Sequence, residues 1–216
     1  ATGVGSASAE VALHELIACG ARRLVRVGSC GTMVPEVLPG QVVVVTAAVR
    51  DEATTHHYAP PEFPAVAHPE AVAAMTAGAR RAGLADQTFA GVCHSKASLY
   101  AREFGRGPAG GRNLDYCAWL RRCGAIATEM EASTLLILAT AADPAPVPLS
   151  RSPGAPDCRA TAVLAVFAPD HSQMELDEEV ARTAEERAIR VAVEGVRAWA
   201  DIDREPGTAS RGRDQG

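Results

Sequence analysis

The sequence predicts an α/β protein built on a doubly wound, mostly parallel sheet. Short β-branched and apolar runs bounded by glycine alternate with stretches whose apolar residues repeat at helical spacing. The run at 41–49 is apolar almost throughout, which is typical of a strand covered on both faces. Strands and helices that alternate in this way form the layered α/β class.

The first half of the chain supplies two helices and three strands. A helix is predicted at 6–19, where Ser6 or Ser8 can cap the start and Gly20 ends it. Strands follow at 24–27 and 41–49. Pro69 suits the first turn of a second helix that closes at Gly83. A strand at 88–93 then leads into a loop at 101–112 that is rich in glycine and arginine, and loops of this length are often functional.

The second half continues the alternation. We expect a helix near 116–123, a strand at 126–128, a helix at 130–141, a strand at 160–167 and a long amphipathic helix over 180–199. The stretch 143–157 carries five prolines without apolar periodicity and is interpreted as a loop or a locally disordered insert. The prediction is one domain over 1–203 followed by a disordered tail at 204–216.

The charge and hydropathy of the chain limit the kinds of molecule that it is expected to bind. The formal net charge is −5, and no basic run is denser than Arg121-Arg122. This leaves little attraction to nucleic acid or to an anionic membrane. The longest apolar stretches are too short to span a bilayer, and no signal-peptide pattern is present. We therefore expect a soluble, cytoplasmic protein whose partner is a small molecule or another protein.

The sequence offers no metal-binding pattern. Its six cysteines are scattered without a Cys-x-x-Cys pair, which argues against a zinc site and against a disulfide framework. His56 and His57 are adjacent, and neighbouring residues rarely direct both rings to one ion. We interpret them as a loop pair and predict no metal.

Two further features are weak evidence for a cofactor or a nucleophile. Gly3-Val4-Gly5 precedes a helix, but Ser8 stands where a dinucleotide fingerprint has its third glycine. A tight strand-to-helix turn therefore explains the glycines better than a nicotinamide site. Nothing near Lys96 in the sequence would activate it, so we expect a solvated lysine without a catalytic role.

Arg26 and Ser29 are the first candidate ligand-binding residues. Arg26 lies in an otherwise apolar strand, and Ser29 lies at the carboxyl end of that strand, where open α/β sheets bind ligands. A guanidinium buried without an anion is costly, so a bound phosphate would explain Arg26. An internal salt bridge explains it equally well at this stage.

Two carboxylates stand at a later strand-to-helix junction. Glu129 and Glu131 are separated by one residue, so on a helix they point in different directions. We expect one of them to accept the hydroxyls of a ribose and the other to be structural. The alternative is that both acids are simply favoured by a helix N-terminus.

Four blocks together resemble the uridine phosphorylase family. They are Thr2-Gly-Val-Gly, the motif Ala-Arg-Arg-Leu-Val-Arg-Val-Gly-Ser-Cys-Gly at 21–31, the segment 40–67, and Thr-Glu-Met-Glu-Ala at 128–132. Their order and spacing match over about 1–142, and more loosely over 159–199. The wider superfamily includes purine nucleoside phosphorylases and nucleosidases. The resemblance implies that phosphate attacks C1′ of a nucleoside, with no covalent intermediate and with phosphate as co-substrate in place of a cofactor.

The resemblance also assigns roles to single residues. Arg26 matches the arginine that holds phosphate, and Ser29 matches a hydroxyl residue that touches phosphate and ribose. Met130 matches the residue that packs on the sugar, and Glu131 matches the carboxylate that grips the ribose hydroxyls. Arg26 and Glu131 are thus the expected catalytic residues, and Glu129 is the expected structural acid.

The expected base site departs from the family pattern. Leu99 stands where the family has an aromatic residue that stacks near the sugar and base. In the following loop a glutamine and an arginine of the family read the uracil edge, and here Arg102, Glu103 and Arg106 are the candidates. The predicted base-binding residues are Leu99, Arg102 and Arg106. Positions 169–170 are Pro-Asp, where the family places another arginine.

The start of the chain is a further departure. Family members carry a preceding strand and loop with an arginine for phosphate, and they give another arginine to a neighbouring subunit. This sequence begins after those positions, so we expect the 216 residues as given to be a poor catalyst and an upstream extension to restore activity. The resemblance implies a dimer-based homo-oligomer such as a hexamer. Purine nucleoside phosphorylase, nucleosidase and a non-catalytic nucleoside-binding homologue stay open as alternatives.

Overall fold

The helices and strands follow the predicted order. The computed structural model describes residues 1–142, 158–169 and 176–204. The α-helices are α1 (Ser6–Ala18), α2 (Pro69–Arg81), α3 (Gly110–Arg122), α4 (Ala132–Ala142) and α5 (Glu178–Arg204). The strands are β1 (Arg23–Thr32), β2 (Val42–Asp51), β3 (Ala65–Val66), β4 (Thr88–Lys96), β5 (Ala125–Glu129) and β6 (Arg159–Ala168). The predicted insert 143–157 lies outside the described residues, as does the predicted tail beyond the last residue of α5.

The α/β class is confirmed, but the sheet is mixed and contains a closed ring of strands, whereas the sequence predicted a doubly wound, mostly parallel sheet. The strand order is β3-β2-β4-β5-β1-β6, and β6 also pairs with β2, so five strands close into a ring. β1 pairs parallel with β6, as do β2 with β4 and β4 with β5. The pairings β1 with β5, β2 with β3 and β2 with β6 are antiparallel. The result is a mixed, closed sheet.

Irregular pairing accompanies the closure. The register shifts between Val45 and Ala47 in β2, between Val92 and Cys93 in β4, and between Cys30 and Gly31 in β1. Bulges of this kind bend a strand and increase its twist, which is what curving a sheet into a ring requires. The alternation of helices and strands in a sequence carries no information about such bends, and this is why an open sheet was predicted.

Both faces of the central strands are covered, as the apolar run at 41–49 predicted. Val43 and Val45 of β2 belong to the core beneath α1 and α4, whereas Val42 and Val44 belong to the core beneath α2 and α5. Successive side chains of a strand point to opposite faces, so one apolar strand serves both cores. Residues 132–139 of α4 are buried, and the helix packs against β2 and β6.

The observed ends of the helices agree only in part with those predicted from the sequence. α2 begins at Pro69 as predicted, and Nδ1 of His68 accepts the backbone N–H of Glu70. α1 is preceded by Gly5 at φ 90°, without a side-chain cap. Neither Ser6 nor Ser8 takes the predicted capping role. The hydroxyl of Ser8 donates instead to the carbonyl of Thr2, which ties the N-terminal segment to α1.

The predicted loop at 101–112 is partly helical. A π-helical turn occupies Leu99–Glu103, and α3 begins at Gly110. Only 104–109 remains irregular, and Gly105 and Gly107 adopt φ of 63° and 88° there. The turn after β4 is therefore fixed by backbone hydrogen bonds, which holds its side chains in place.

One edge of β1 is open within the described part of the chain. β6 pairs with residues 23–31 of β1, whereas β5 pairs only with Gly31 and Thr32. The remaining edge of residues 23–30 meets no described strand. Val27 lies on this strand and is exposed. Among the described residues, the helices are all too short or too polar to cross a bilayer.

Candidate functional site

A cleft of about 470 Å³ opens where the carboxyl ends of β1, β4, β5 and β6 converge. It collects five of the predicted site residues: Arg26, Ser29, Leu99, Met130 and Glu131. The segment 1–4 covers one side of the cleft, and residues 167–169 line another. Residues far apart in the chain thus meet at the sheet end where α/β proteins hold ligands.

Arg26 and Glu131 form the central contact of the cleft. Nη2 of Arg26 donates to Oε2 of Glu131. The other carboxylate oxygen, Oε1, accepts the backbone N–H of Gly5 at 2.5 Å. The expected phosphate-binding and ribose-binding groups are therefore in direct contact, and the glycine-rich turn before α1 holds the carboxylate.

The second terminal nitrogen of Arg26 is buried beside Glu129. Nη1 is buried and donates no hydrogen bond to any described residue. It lies 3.5 Å from Oε2 of Glu129. A buried donor without an acceptor is costly, and an anion bound in the cleft would satisfy it. Both readings of Arg26, an internal ion pair and an anion site, are compatible with this geometry.

Gly28 makes room for the arginine. A Cβ on Gly28 would overlap the guanidinium of Arg26, because the side chain lies over the backbone two residues further along β1. The absence of a side chain at 28 therefore lets the guanidinium lie flat against the strand. The neighbouring Ser29 is exposed to the cleft, as its predicted role needs.

Glu129 is bound on all sides by the protein. Oε2 accepts the backbone N–H groups of Glu131 and Ala132, each at 2.8 Å, at the start of α4. Oε1 accepts the hydroxyl of Ser95, which in turn accepts the N–H of Ser133 at 2.9 Å. A carboxylate that satisfies two helix N–H groups is favoured by the helix end. Glu129 thus holds the β5–α4 junction, and Glu131 faces the cleft.

Lys96 is not the solvated lysine that the sequence suggested. It is 2% exposed and lies at the end of β4, where it lines the cleft. Nζ forms an ion pair with Oε2 of Glu103 at 2.6 Å and donates to the hydroxyl of Thr128 at 2.9 Å. No sequence signal within β4 reveals this pair, because its partner comes from the π-helical turn.

Arg102 and Arg106, the predicted base-binding arginines, do not line this cleft. Arg102 contacts both carboxylate oxygens of Asp51, through Nε at 2.6 Å and Nη2 at 2.8 Å, and lies 4.4 Å from the ring centre of Tyr116. Arg106 is exposed and lies 5.6 Å from the ring centre of Tyr100. Their base-binding role remains a prediction that this geometry does not support.

Asp51 joins Arg102 to a buried histidine. Nε2 of His94 lies 2.8 Å from Oδ2 of Asp51, and the imidazole is 1% exposed. The ring of Tyr116 meets that of His94 edge-on, with 6.0 Å between the centroids. This network ties β2, β4 and α3 together, and its side chains are not among those that line the cleft.

Two thiols lie beneath the cleft. Cys30 in β1 and Cys93 in β4 are buried, and Sγ of Cys93 lies 3.8 Å from Oε1 of Glu129. Burial, assisted by the negative charge of Glu129, raises the pKa of both thiols above the ordinary value of 9.0. They are neutral near pH 7 and unsuited to nucleophilic attack.

The described residues contain no group of three or more His, Cys, Asp or Glu side chains that could hold a metal ion. His56 and His57 lie on a 3₁₀ turn, Thr54–His57, and both are exposed. The polar groups that face the cleft are instead two cations and several carboxylates and hydroxyls. Such a set suits a polar organic ligand together with an anion.

Comparison with known proteins agrees with this arrangement. The profile of the phosphorylase superfamily matches residues 1–197. Uridine phosphorylase from Treponema pallidum is 32% identical over 198 residues, covering 91% of this chain and 70% of the relative. Uridine phosphorylase from Thermococcus kodakarensis is 33% identical over 215 residues, covering 97% and 69%. Purine nucleoside phosphorylase from Plasmodium vivax is 31% identical over 139 residues, covering 64% and 53%.

Proposed function

Because this chain belongs to the phosphorylase superfamily, we propose that it cleaves the N-glycosidic bond of a nucleoside with inorganic phosphate, and that the nucleoside is uridine. The names of the relatives support this substrate, and the cleft supports the reaction class. The observation that carries the proposal is the meeting of Arg26 and Glu131 in one cleft, with an unsatisfied guanidinium nitrogen beside them.

Each partner of that ion pair can serve one substrate. Carboxylate oxygens accept more than one hydrogen bond, so Glu131 can accept ribose hydroxyls while Gly5 and Arg26 still bind it. Nη1 of Arg26 and the hydroxyl of Ser29 can donate to phosphate oxygens. Met130, half-buried in the cleft wall, offers an apolar surface to the sugar.

The proposed reaction is a displacement at C1′. A phosphate oxygen forms a bond to C1′ while the bond from C1′ to the base nitrogen breaks, and its electron pair leaves with the base. The proton that phosphate gives up balances the one that the base takes up, so ribose 1-phosphate and free base result. Positive charge develops on the sugar, and the Glu131 carboxylate is placed to stabilise it. Catalysis then depends on positioning and electrostatics.

The test is the dependence of cleavage on phosphate. Uridine is incubated with the chain in buffers with and without inorganic phosphate, and the products are separated by chromatography. We expect uracil and ribose 1-phosphate only when phosphate is present. Free ribose formed without phosphate would identify a nucleosidase. Calorimetric binding of uridine with no turnover under either condition would identify a non-catalytic homologue.

A purine substrate is the second candidate, favoured by the similarity to the Plasmodium vivax purine nucleoside phosphorylase. Inosine offered in place of uridine tests it. We further propose that the protein works in the cytoplasm as a dimer-based homo-oligomer without a bound cofactor, supported by its likeness to uridine phosphorylase. Light scattering coupled to size-exclusion chromatography measures the assembly, and a monomer at working concentrations would contradict that part.

A further inference from the structure

A second cavity, separate from the cleft, opens beside α3. Its volume is about 480 Å³, against about 470 Å³ for the cleft, and among the described residues the two share no lining side chain. Its walls come from the end of β2, the π-helical turn and one face of α3. A cavity of this size accommodates a small organic ligand, and the reaction proposed above gives it no role.

Three arginines make this cavity cationic, although the formal net charge of the chain is −5. Arg102 is already bound to Asp51. Arg112 and Arg122 are exposed, and within the described part of the chain their side chains have no ion-pair or hydrogen-bond partner. The described acids that line the cavity are Asp51 and Asp115, so positive charge is in excess. Because guanidinium groups bind phosphate oxygens through paired N–H donors, the two unpaired arginines favour an anionic ligand.

An exposed tryptophan lies on α3 between these two arginines. Trp119 lines the cavity and is 64% exposed, more than any other described Phe, Tyr or Trp side chain. It follows Arg112 by seven residues and precedes Arg122 by three, so the three side chains lie on one face of the helix. An indole ring in water presents a large apolar surface, which a stacked aromatic ring would cover. Nucleic-acid bases stack on such rings whatever their sequence.

The inner wall of the cavity is fixed before any ligand binds. The guanidinium of Arg102 contacts both carboxylate oxygens of Asp51 and donates to Oδ1 of Asn113 at 2.9 Å. It also lies 4.4 Å from the ring centre of Tyr116. His94 contacts the same Asp51 carboxylate at 2.8 Å. Only the exposed side chains at the rim must become ordered on binding, which keeps the entropic cost low.

We propose that this cavity binds a nucleoside monophosphate, with the base stacked on Trp119 and the phosphate bound by Arg112 and Arg122. The carboxylate of Asp115 lies about one helical turn before Trp119 and can accept the ribose hydroxyls. This chemical class combines an aromatic ring, a polar sugar and an anion. Inorganic phosphate would leave the indole uncovered, and a nucleoside would leave both arginines unpaired.

The inferred site is distinct from the cleft of the proposed reaction and does not depend on that reaction. Arg102 lines the cavity, whereas the next residue, Glu103, lines the cleft. The π-helical turn that carries both residues therefore separates the two sites. A nucleotide in the cavity and a nucleoside in the cleft can be bound at the same time.

Tryptophan fluorescence measures this binding directly. The chain has two tryptophans, and Trp199 is 1% exposed, so Trp119 is the one that a ligand from solution can reach. Adenosine 5′-monophosphate, adenosine and inorganic phosphate are titrated separately into the full chain. We expect the monophosphate to quench the emission and to bind about tenfold or more tightly than adenosine, which is the scale of a hydrogen bond to a charged group. Phosphate alone should not quench it.

Two results in the unaltered chain would overturn the inference. One is equal affinity for adenosine and its monophosphate, or no quenching by either. The other comes from repeating the titration with saturating uridine, which should leave the affinity for the monophosphate unchanged. Displacement of the monophosphate by uridine would place the nucleotide in the cleft.

Substitutions on the exposed face of α3 assign the site. Arg112→Gln and Arg122→Gln should each weaken binding of the monophosphate about tenfold and leave adenosine binding nearly unchanged. Trp119→Ala should weaken both ligands about tenfold, measured by calorimetry because the fluorescent group is lost. Arg182→Gln is the matched control, since Arg182 is an exposed arginine of α5 that does not line the cavity. It should bind both ligands as the unaltered chain does.

The variants also distinguish a nucleotide site from a contact between copies of this chain. If both arginine variants bind the monophosphate as tightly as the unaltered chain, its phosphate is not held here and the inference is wrong. Size-exclusion chromatography coupled to light scattering should give the same molar mass for Trp119→Ala as for the unaltered chain. A smaller assembly would show that this face of α3 contacts a second copy of the chain, and the nucleotide site would then be rejected.

Discussion

Arg26 and Glu131 are separated by 105 positions in the chain, yet they form an ion pair in the cleft. The strand that carries Arg26 and the junction that carries Glu131 meet because β1 runs antiparallel to the end of β5, with Gly31 opposite Thr128. Each residue thereby holds the other in position before any substrate arrives. Groups fixed in advance need little reorganisation during a reaction, which is how electrostatic stabilisation becomes effective.

Substituting the two acids of the β5–α4 junction should separate their roles. Glu131→Ala removes the acceptor that faces the cleft. We expect this to cost about 2 to 4 kcal/mol of transition-state stabilisation, so that kcat/KM for uridine phosphorolysis falls roughly 30- to 900-fold. Glu129→Ala removes the acceptor of two backbone N–H groups at α4. We expect it to lower the free energy of unfolding by about 1 to 3 kcal/mol.

Steady-state kinetics and urea denaturation of both variants measure these effects. Glu131→Gln is the matched control for size, since it keeps the side-chain volume and one acceptor oxygen while removing the charge. An alanine variant at 131 that turns over uridine at the unaltered rate would disprove the ribose-binding role.

Most of the cleft could be predicted from sequence because its residues sit at strand ends. Arg26, Ser29, Met130 and Glu131 each lie in or just after a recognisable strand, and carboxyl ends of strands gather ligand-binding groups. The Glu-Met-Glu spacing also predicted that one acid would be structural, which fits the contacts of Glu129.

Contacts between distant elements could not be predicted. Lys96 can be buried because Glu103 of the following turn forms an ion pair with it. Arg102 lies outside the cleft because it is bound to Asp51 of β2. The ring closure could not be predicted for the same reason. It depends on the pairing of residues 42–44 of β2 with residues 163–165 of β6, which lie more than a hundred positions apart in the chain. Local periodicity identifies a strand but does not identify its neighbours.

We expect pyrimidine nucleosides to be preferred over purine nucleosides. A site that pairs with polar groups of one base discriminates against a base that leaves those groups unpaired. Uridine and inosine are supplied together with phosphate, and the consumption of each is followed by chromatography in the same mixture. Faster loss of inosine would show that the purine nucleoside phosphorylase assignment is correct.

Thiol chemistry should distinguish the exposed cysteines from those under the cleft. Cys19 and Cys123 are exposed, whereas the other four cysteines are buried. A colourimetric disulfide reagent at pH 8 should therefore label two thiols rapidly in the folded chain and all six after denaturation. A double variant, Cys19→Ala with Cys123→Ala, should lose the rapid phase entirely. Rapid labelling that persists in this variant would show that at least one of the four remaining cysteines is not buried.

The same two thiols predict how stability depends on pH. Burial raises the pKa of Cys30 and Cys93 above 9.0, so the folded chain retains protons that the unfolded chain releases at higher pH. Below pH 9 both states are protonated and the thiols contribute no pH dependence. Above pH 9 the free energy of unfolding should fall as pH rises, because the unfolded state binds fewer protons. Urea denaturation at pH 8 and pH 10 measures this, and the paired variant Cys30→Ala with Cys93→Ala should show a smaller decrease.

Gly28→Ala should damage phosphate binding without unfolding the protein. The added Cβ would overlap the guanidinium of Arg26, which must then leave its place over β1 and lose its contact with Glu131. A displaced charged hydrogen bond costs about 1.5 to 3 kcal/mol, so the KM for phosphate should rise roughly 10- to 150-fold.

Gly111→Ala is the matched control: it lies in α3, where an added Cβ meets nothing within 4 Å. That variant should keep the phosphate KM and gain up to about 1 kcal/mol of stability from its higher helix propensity. Initial rates at varied phosphate and saturating uridine give both constants. If Gly28→Ala leaves the phosphate KM at its original value, Arg26 does not hold phosphate from this position.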